Sequence, residues 1–249
     1  MALADPDITE DAVLGGRLHL RQPRRGHRVG HDAILLAAST GGGDGDRAID
    51  LGAGVGSAGL ALARRIPGLR VTLVEIDKAL CDLARQNVIL NRFEERIDIV
   101  RADVGHLELP PASADRVLMN PPFNDPVKQN VSPDASRALA HMADPDSLRT
   151  WVKSATRLLK PQGILTLIWR ADGFSDVLNA LTDFGALVVL PVHPRPGVPA
   201  IRVLVRAQKG GQPPLALLPG LELNDANGKP SAAAEAVLRG AEALPLANV

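Results

Sequence analysis

The sequence predicts an α/β protein built on an open mixed sheet with helices on both faces. Three observations carry that expectation. Strand-like apolar runs alternate with helical patterns between residues 48 and 207, in the order β-α-β-α-β-β-α-β-α-β-β. A glycine-rich turn, Gly52-Ala53-Gly54-Val55-Gly56, follows the first of these strands, and Glu75 ends the second, at about the 20-residue spacing of a nucleotide-binding βαβ unit. The fourth strand, Val117-Leu118-Met119, runs into Asn120-Pro121-Pro122-Phe123, where proline removes the amide hydrogen needed for strand pairing. Polar groups thus gather at the carboxyl ends of the first four strands, where open α/β sheets bind ligands.

Composition narrows the classes. The chain has 249 residues, 45% hydrophobic and 22% charged, enough for one domain with appendages. Its expected parts are an N-terminal segment (1–40), a core (41–210) and a C-terminal cover with a short helix (211–249). No apolar run reaches the length of a membrane span, and the N-terminus lacks the basic start and apolar core of an export signal, so a cytosolic protein is expected. Cys81 is the single cysteine. That excludes an intrachain disulfide and a cysteine-based metal cluster, and no metal site is expected. Net charge is zero, so any nucleic-acid binding has to be local. Aromatic residues are 2% of the chain and tyrosine is absent, which makes each ring beside a polar motif informative.

In chain order, residues 1–14 read as a mobile acidic arm. Residues 17–31 interleave arginine and histidine with Leu18, Leu20 and Val29, a pattern of either a hairpin with a basic face or a charged edge that blunts sheet pairing. A short helix over 33–38 follows, with Asp32 placed to cap it or complement its first turn. Strands are then expected at 48–52, 71–74, 97–100, 115–120 and 164–169, and helices at 57–65, 78–91 and 147–159. Ala102-Asp103-Val104 closes the third strand. Residues 124–145 form a polar, proline-bearing segment long enough for a lid, carrying Lys128, Arg137 and His141 as phosphate contacts or as solvent-facing residues. Lys160-Pro161-Gln162-Gly163 is a turn. A helix at 173–183 precedes two strands, 186–190 and 201–207, joined through Arg195-Pro196-Gly197 as a hairpin at the sheet edge, the last strand antiparallel. A loop-rich cover and a helix over 231–239, stopped at Gly240, end the chain.

The glycines let a ligand approach the backbone closely. Ser57 stands where a dinucleotide fingerprint has its third glycine, and Asp50, at the mouth of the turn, would repel a pyrophosphate yet suits an ammonium group. Glu75 can accept from both hydroxyls of a ribose. Asp103 either accepts from an adenine amine or is an exposed loop aspartate. A ligand with a ribose, an adenine and a cationic amino-acid tail, S-adenosylmethionine, fits this set. At Asn120 the side-chain oxygen and the Pro121 carbonyl are two acceptors for the two hydrogens of a delocalised amine, and Phe123 is a stacking face for the planar group that carries it. The competing reading is an ordinary Asn-Pro turn followed by a packing phenylalanine.

Taken together, Asp50 to Gly56, Glu75-Ile76-Asp77, Asp103 and Asn120 to Phe123 resemble class I S-adenosylmethionine-dependent methyltransferases that act on amines. The resemblance implies a Rossmann-like fold of seven strands with an antiparallel last strand. It implies that Gly52, Ala53, Gly54 and Gly56 face the methionine part of S-adenosyl-L-methionine, Glu75 the ribose, and Ile76 and Asp103, with Val104 beside them, the adenine. Asn120 and Pro121 then hold the target amine. Arg24 to Leu36, Ser136 to His141 and Ala232 to Gly240 further resemble the bacterial tRNA1(Val) adenine-37 N6-methyltransferase family. That likeness implies that Arg28, Gly30 and His31 cover the methionine end and that the substrate is a tRNA anticodon loop, with Arg24, Arg25, Arg137 and His141 near its phosphates and Pro122 and Phe123 near the base. Asn-Pro-Pro-aromatic motifs also serve enzymes acting on release-factor glutamine and on guanine N2 of ribosomal RNA. A non-catalytic cofactor-binding subunit would have no need of an intact Asn120 to Phe123, and the glycine spacing disfavours a dehydrogenase.

Overall fold

The computed structural model describes residues 7–25, 28–122, 145–212 and 214–248. Where an acidic arm was expected, the chain forms a strand. β1 (Ile8–Val13) pairs antiparallel with β2 (Leu18–Pro23) in a separate hairpin. β2 alternates as read, with Leu18, Leu20 and Gln22 buried and His19 and Arg21 exposed. The acids of β1 are matched across the hairpin: Glu10 lies opposite Arg21 and accepts from its Nε at 3.2 Å. Acidic and basic stretches that look unrelated in sequence are thus two halves of one element.

α1 (His31–Ser39) follows, starting from Gly30 without a side-chain cap. Asp32, expected near the first turn, is there but pairs with Arg202 at 2.9 Å. The core sheet is built from β3 (Arg47–Leu51), β4 (Arg70–Glu75), β5 (Ile97–Arg101), β6 (Ala114–Met119), β7 (Leu159–Arg170), β8 (Phe184–His193) and β9 (Arg202–Lys209). Two further short strands, β10 (Ala216–Leu217) and β11 (Leu221–Glu222), lie parallel to β8, so among the described residues the sheet has nine strands where seven were expected. Its order is β10-β8-β9-β7-β6-β3-β4-β5, with β11 also on β8. β9 is antiparallel to both neighbours, as expected for the seventh strand, but the β8–β9 hairpin lies inside the sheet because β10 and β11 cover its outer side. The Lys160–Gly163 turn sits within β7 as an excursion: pairing with β6 jumps from Leu159 to Ile164, and Gln162 has φ 64°.

The strands are apolar on both faces, as parallel strands covered by helices must be. Ala48, Leu118 and Leu204 face one core with α1, α2 (Ser57–Arg65) and α3 (Lys78–Leu90); Ile49, Val117, Met119 and Val205 face the other with α4 (Pro145–Leu158) and α5 (Phe174–Ala180). α6 (Ala232–Leu238) is capped by Ser231, whose Oγ accepts from the Ala234 amide at 3.0 Å, and its Val237 joins the first core. Cys81 is buried, as its pattern suggested, and donates to the Glu75 carbonyl.

β4 and β6 lie on opposite sides of β3, so chain direction across the sheet reverses between β3 and β6. That reversal opens a crevice at the carboxyl ends of the strands. The register puts Leu51 beside Met119, so the glycine-rich turn and Asn120 emerge side by side there.

Close packing of α2 on the sheet depends on Gly59. A methyl group there would meet the Leu73 side chain and lie 3.1 Å from Asp50 Oδ2 and from Val71 Cγ1. Gly59→Ala should therefore destabilise the fold by about 1–2 kcal/mol, overpacking outweighing a helix-propensity gain of about 1 kcal/mol. Equilibrium denaturant unfolding checks this, and a more stable variant would refute it.

Candidate active site

Gly52, Gly54 and Gly56 have φ of 68°, 58° and 90°, left-handed values that favour glycine. Two of the three carry a second constraint. A Cβ on Gly52 would run into the Trp151 ring, and one on Gly56 would come within 2.9 Å of Leu73, whereas Gly54 has open space. The turn therefore packs at both ends and opens in the middle, where a ligand can approach.

Glu75, 8% exposed, holds this turn in place. Its Oε2 accepts from the Gly54 amide at 2.8 Å, and its Oε1 accepts from the amides of Ile76 and Asp77 at 2.8 and 2.9 Å. A carboxylate has about four lone-pair sites, so these bonds leave room for one more donor. The structure gives the expected ribose ligand a prior task, tying the end of β4 to the loop after β3. Ile76, directly after it, is 54% exposed, an apolar side chain presented to solvent beside the crevice.

Asp50 lies beneath the turn instead of at its mouth, 2% exposed. Its Oδ2 accepts from the Gly59 amide at 2.8 Å. Gly56, just before α2, offers no side-chain cap, and Gly59 is in the helix's first turn, so a carboxylate from the preceding strand β3 does the work of a cap. Burial, with the nearby Glu75 carboxylate adding to it, pushes the Asp50 carboxyl up to about 7.

At the end of β5, Asp103 Oδ1 accepts from the Gly105 amide at 2.8 Å and Oδ2 lies 3.3 Å from His106 Nδ1. The Gly105 hydrogen bond leads the causes that lower its carboxyl below the usual range. Val104 is buried in the second core. α4 crosses above both loops: Trp151 packs on Gly52, the Thr150 methyl lies near Gly105, and Ser154 Oγ donates to the Val104 carbonyl at 2.6 Å. Trp151 was missed in the sequence because it stands far from the motifs; its only signal was the scarcity of aromatics.

Asn120 follows β6 directly. Its Oδ1 is buried and meets no hydrogen-bond donor among the described residues. Pro121 is buried and Pro122 half-buried. Phe123, Lys128, Arg137 and His141 lie outside the described residues.

The N-terminal positions divide. Arg28 Nη2 donates to Asp11 Oδ2 at 2.8 Å, and the Val29 amide donates to Gln22 Oε1 at 2.8 Å, so this stretch is fastened to the hairpin. Arg24, Arg25, Gly30 and His31 are exposed. They lead into α1, whose first turn meets Arg202 at the carboxyl-end side of the sheet. Among the described residues no group of three or more His, Cys, Asp or Glu is arranged to hold a metal, and no helix is long and apolar enough to cross a membrane.

This geometry has relatives. The family model described as the methyltransferase small domain matches residues 33–185. A protein of Aeromonas hydrophila named tRNA1(Val) (adenine(37)-N6)-methyltransferase is 31% identical over 198 residues, 78% of this chain and 82% of its own. One of the same name from Phocaeicola vulgatus is 32% identical over 181 residues, 72% and 75% of the two chains. Among solved structures, one from Agrobacterium tumefaciens, described as a predicted O-methyltransferase, superposes with a TM-score of 0.73 at 29% identity, covering 86% of this chain and 98% of that one.

Two measurements check the polar framework. Glu75→Ala strands three amide donors and should lower both stability and cofactor affinity, each by about 2–3 kcal/mol; unchanged unfolding and calorimetric binding would refute the bridging role. For Asp50, the unfolded chain releases its proton near 3.8 and the folded protein near 7. Between these values the folded state holds the extra proton, so wild-type stability relative to Asp50→Asn should fall with rising pH and level off above pH 7. The slope is at most about 1.4 kcal/mol per pH unit. Denaturation across that range decides it, a flat difference counting against the buried acid.

Proposed function

The chain belongs to the methyltransferase small-domain family and is an S-adenosylmethionine-dependent methyltransferase, and from that premise we propose that it methylates the N6 amine of an adenine in a tRNA anticodon loop. The observation that carries the amine is Asn120: a buried carbonyl oxygen without a donor among the described residues, next to the glycine-rich turn at the crevice. A buried acceptor left unpaired is costly unless something completes it.

Bound S-adenosylmethionine supplies an electrophilic methyl group on a sulfonium. The chain's residues do the rest. Open space over Gly54 and the exposed Ile76 suit the close approach of the cofactor and its adenine, and Glu75 keeps one acceptor position for a ribose hydroxyl. Asn120 Oδ1 and the Pro121 carbonyl accept hydrogen bonds from the two N–H groups of the target amine and draw its nitrogen toward a tetrahedral shape with a localised lone pair. Phe123, from its sequence position, supplies the face against which the base stacks.

An adenine in an anticodon loop is partly unstacked already, so extruding it costs less than flipping a base from a duplex. Exposed Arg24 and Arg25, with Arg137 and His141 proposed from the sequence, suit the phosphates of such a loop. The two curated relatives carry names for this reaction. The O-methyltransferase description of the Agrobacterium protein supports a second reading, transfer to a hydroxyl. A hydroxyl has one hydrogen and would leave one of the paired acceptors idle, which favours the amine.

Asn120→Ala should keep cofactor affinity near wild type while slowing transfer by about a hundredfold or more; full turnover at saturating substrate would sink the mechanism. Offering total tRNA, ribosomal RNA, release factor and duplex DNA with radiolabelled cofactor tests the substrate. Label in tRNA as N6-methyladenosine, lost in Arg24→Ala/Arg25→Ala, is the expected result. Label confined to release factor or ribosomal RNA overturns the tRNA assignment and leaves the methyltransferase intact.

A further inference from the structure

Asn87 is fully buried in α3 with every polar atom engaged. Its Oδ1 accepts from the Arg21 amide at 2.6 Å; its Nδ2 donates to the Arg21 carbonyl at 2.9 Å and to the Val55 carbonyl at 3.0 Å. One helical turn later, Asn91 Oδ1 accepts from the His19 amide at 3.0 Å, and its Nδ2 donates to the His19 carbonyl at 2.7 Å. The match follows from two periods: four residues of helix rise about 6 Å and two residues of strand about 6.8 Å. Two carboxamides on one helix face therefore stand in for the peptide groups of a strand beside the outer edge of β2.

Only Asn87 also reaches the site. Val55 lies between two left-handed glycines, Gly54 and Gly56, a setting in which its peptide unit has unusual freedom to turn over. The bond from Asn87 Nδ2 holds that carbonyl in one direction while Glu75 holds the Gly54 amide before it. We propose that Asn87 is a positioning residue that couples docking of the N-terminal hairpin to binding of S-adenosylmethionine, by fixing the Val55 peptide of the glycine-rich turn. This rests on the reading of Gly52 to Gly56 as the cofactor loop. Coupling of this kind is reciprocal: the factor by which the docked hairpin tightens the cofactor equals the factor by which the cofactor stabilises docking.

The experiment reads both directions in the full chain. NMR-detected hydrogen exchange of the wild type should show the His19 amide, held by Asn91 and outside the cofactor loop, exchanging several-fold more slowly with saturating S-adenosylmethionine. In Asn87→Leu the cofactor Kd should rise about tenfold, kcat at saturating cofactor should stay within about twofold, and the cofactor effect at His19 should vanish. Asn91→Leu loosens the hairpin without touching Val55, and its Kd should rise less than that of Asn87→Leu. A wild type that binds cofactor with no change at His19 overturns the coupling whether or not the variants fold, as does Asn87→Leu with wild-type Kd. Gly54→Val tests the underlying reading separately, since cofactor binding untouched by it would remove the loop assignment and the coupling with it.

Discussion

Three main-chain amides, those of Gly54, Ile76 and Asp77, converge on the carboxylate of Glu75, and the geometry of the candidate site depends on that convergence. β3 and β4 are adjacent, so one buried side chain at the end of β4 reaches the turn that leaves β3. The turn contains left-handed glycines, which supply mobility as readily as shape. Hydrogen bonding to an anion is stronger than to a neutral acceptor, and here it converts a permissive loop into a defined one. The same turn of chain leaves Ile76 exposed at the rim, so the polar anchor and the apolar surface beside it share one cause.

The polar groups around the loop follow a common rule. Asp50 serves the amide of Gly59 in α2, Asn87 serves Val55 and Arg21, and Asp103 serves Gly105. Each is an acidic or amide side chain spent on backbone groups that sheet or helix bonding leaves over. Asn120 breaks the rule, with a buried oxygen that has no donor among the described residues. That contrast sets Asn120 apart from the side chains that hold the loops in place. The carboxyl of Asp50, raised to about 7 by burial, shows the cost of the arrangement: two acids lie under one loop, and the more buried resists ionisation.

The zero net charge is organised locally. The acids of β1 are taken up by arginines of the same hairpin region, Glu10 by Arg21 and Asp11 by Arg28. Arg28 is thereby committed to structure, while exposed Arg24 and Arg25 project from the same stretch. Surface ion pairs of this kind add little stability, on the order of 0–1 kcal/mol each. Their effect is to fix Arg21 and Arg28 against the acids of β1.

The sequence by itself determined the local events: the runs that become β3 to β9, the helices between them, the stop at Asn120-Pro121-Pro122, and the glycine turn paired with Glu75. Each is written within a few residues, in a period of two or 3.6 or in the fixed φ of proline and the open φ of glycine. Tertiary structure alone decided the partners of the polar groups. Nothing near Asp50 shows that it will lie beneath the turn, nothing near Asn87 that it will bind Arg21, and nothing near Trp151 that its ring will lie on Gly52. The acidic stretch read as an arm became β1 by pairing its backbone with β2, and two short strands joined the sheet along the outer side of β8. The physical reason is common to all of these. A hydrogen bond or ion pair is decided by which strands and helices become neighbours, and that order is a property of the packed sheet as a whole, with no counterpart in the residues beside each group.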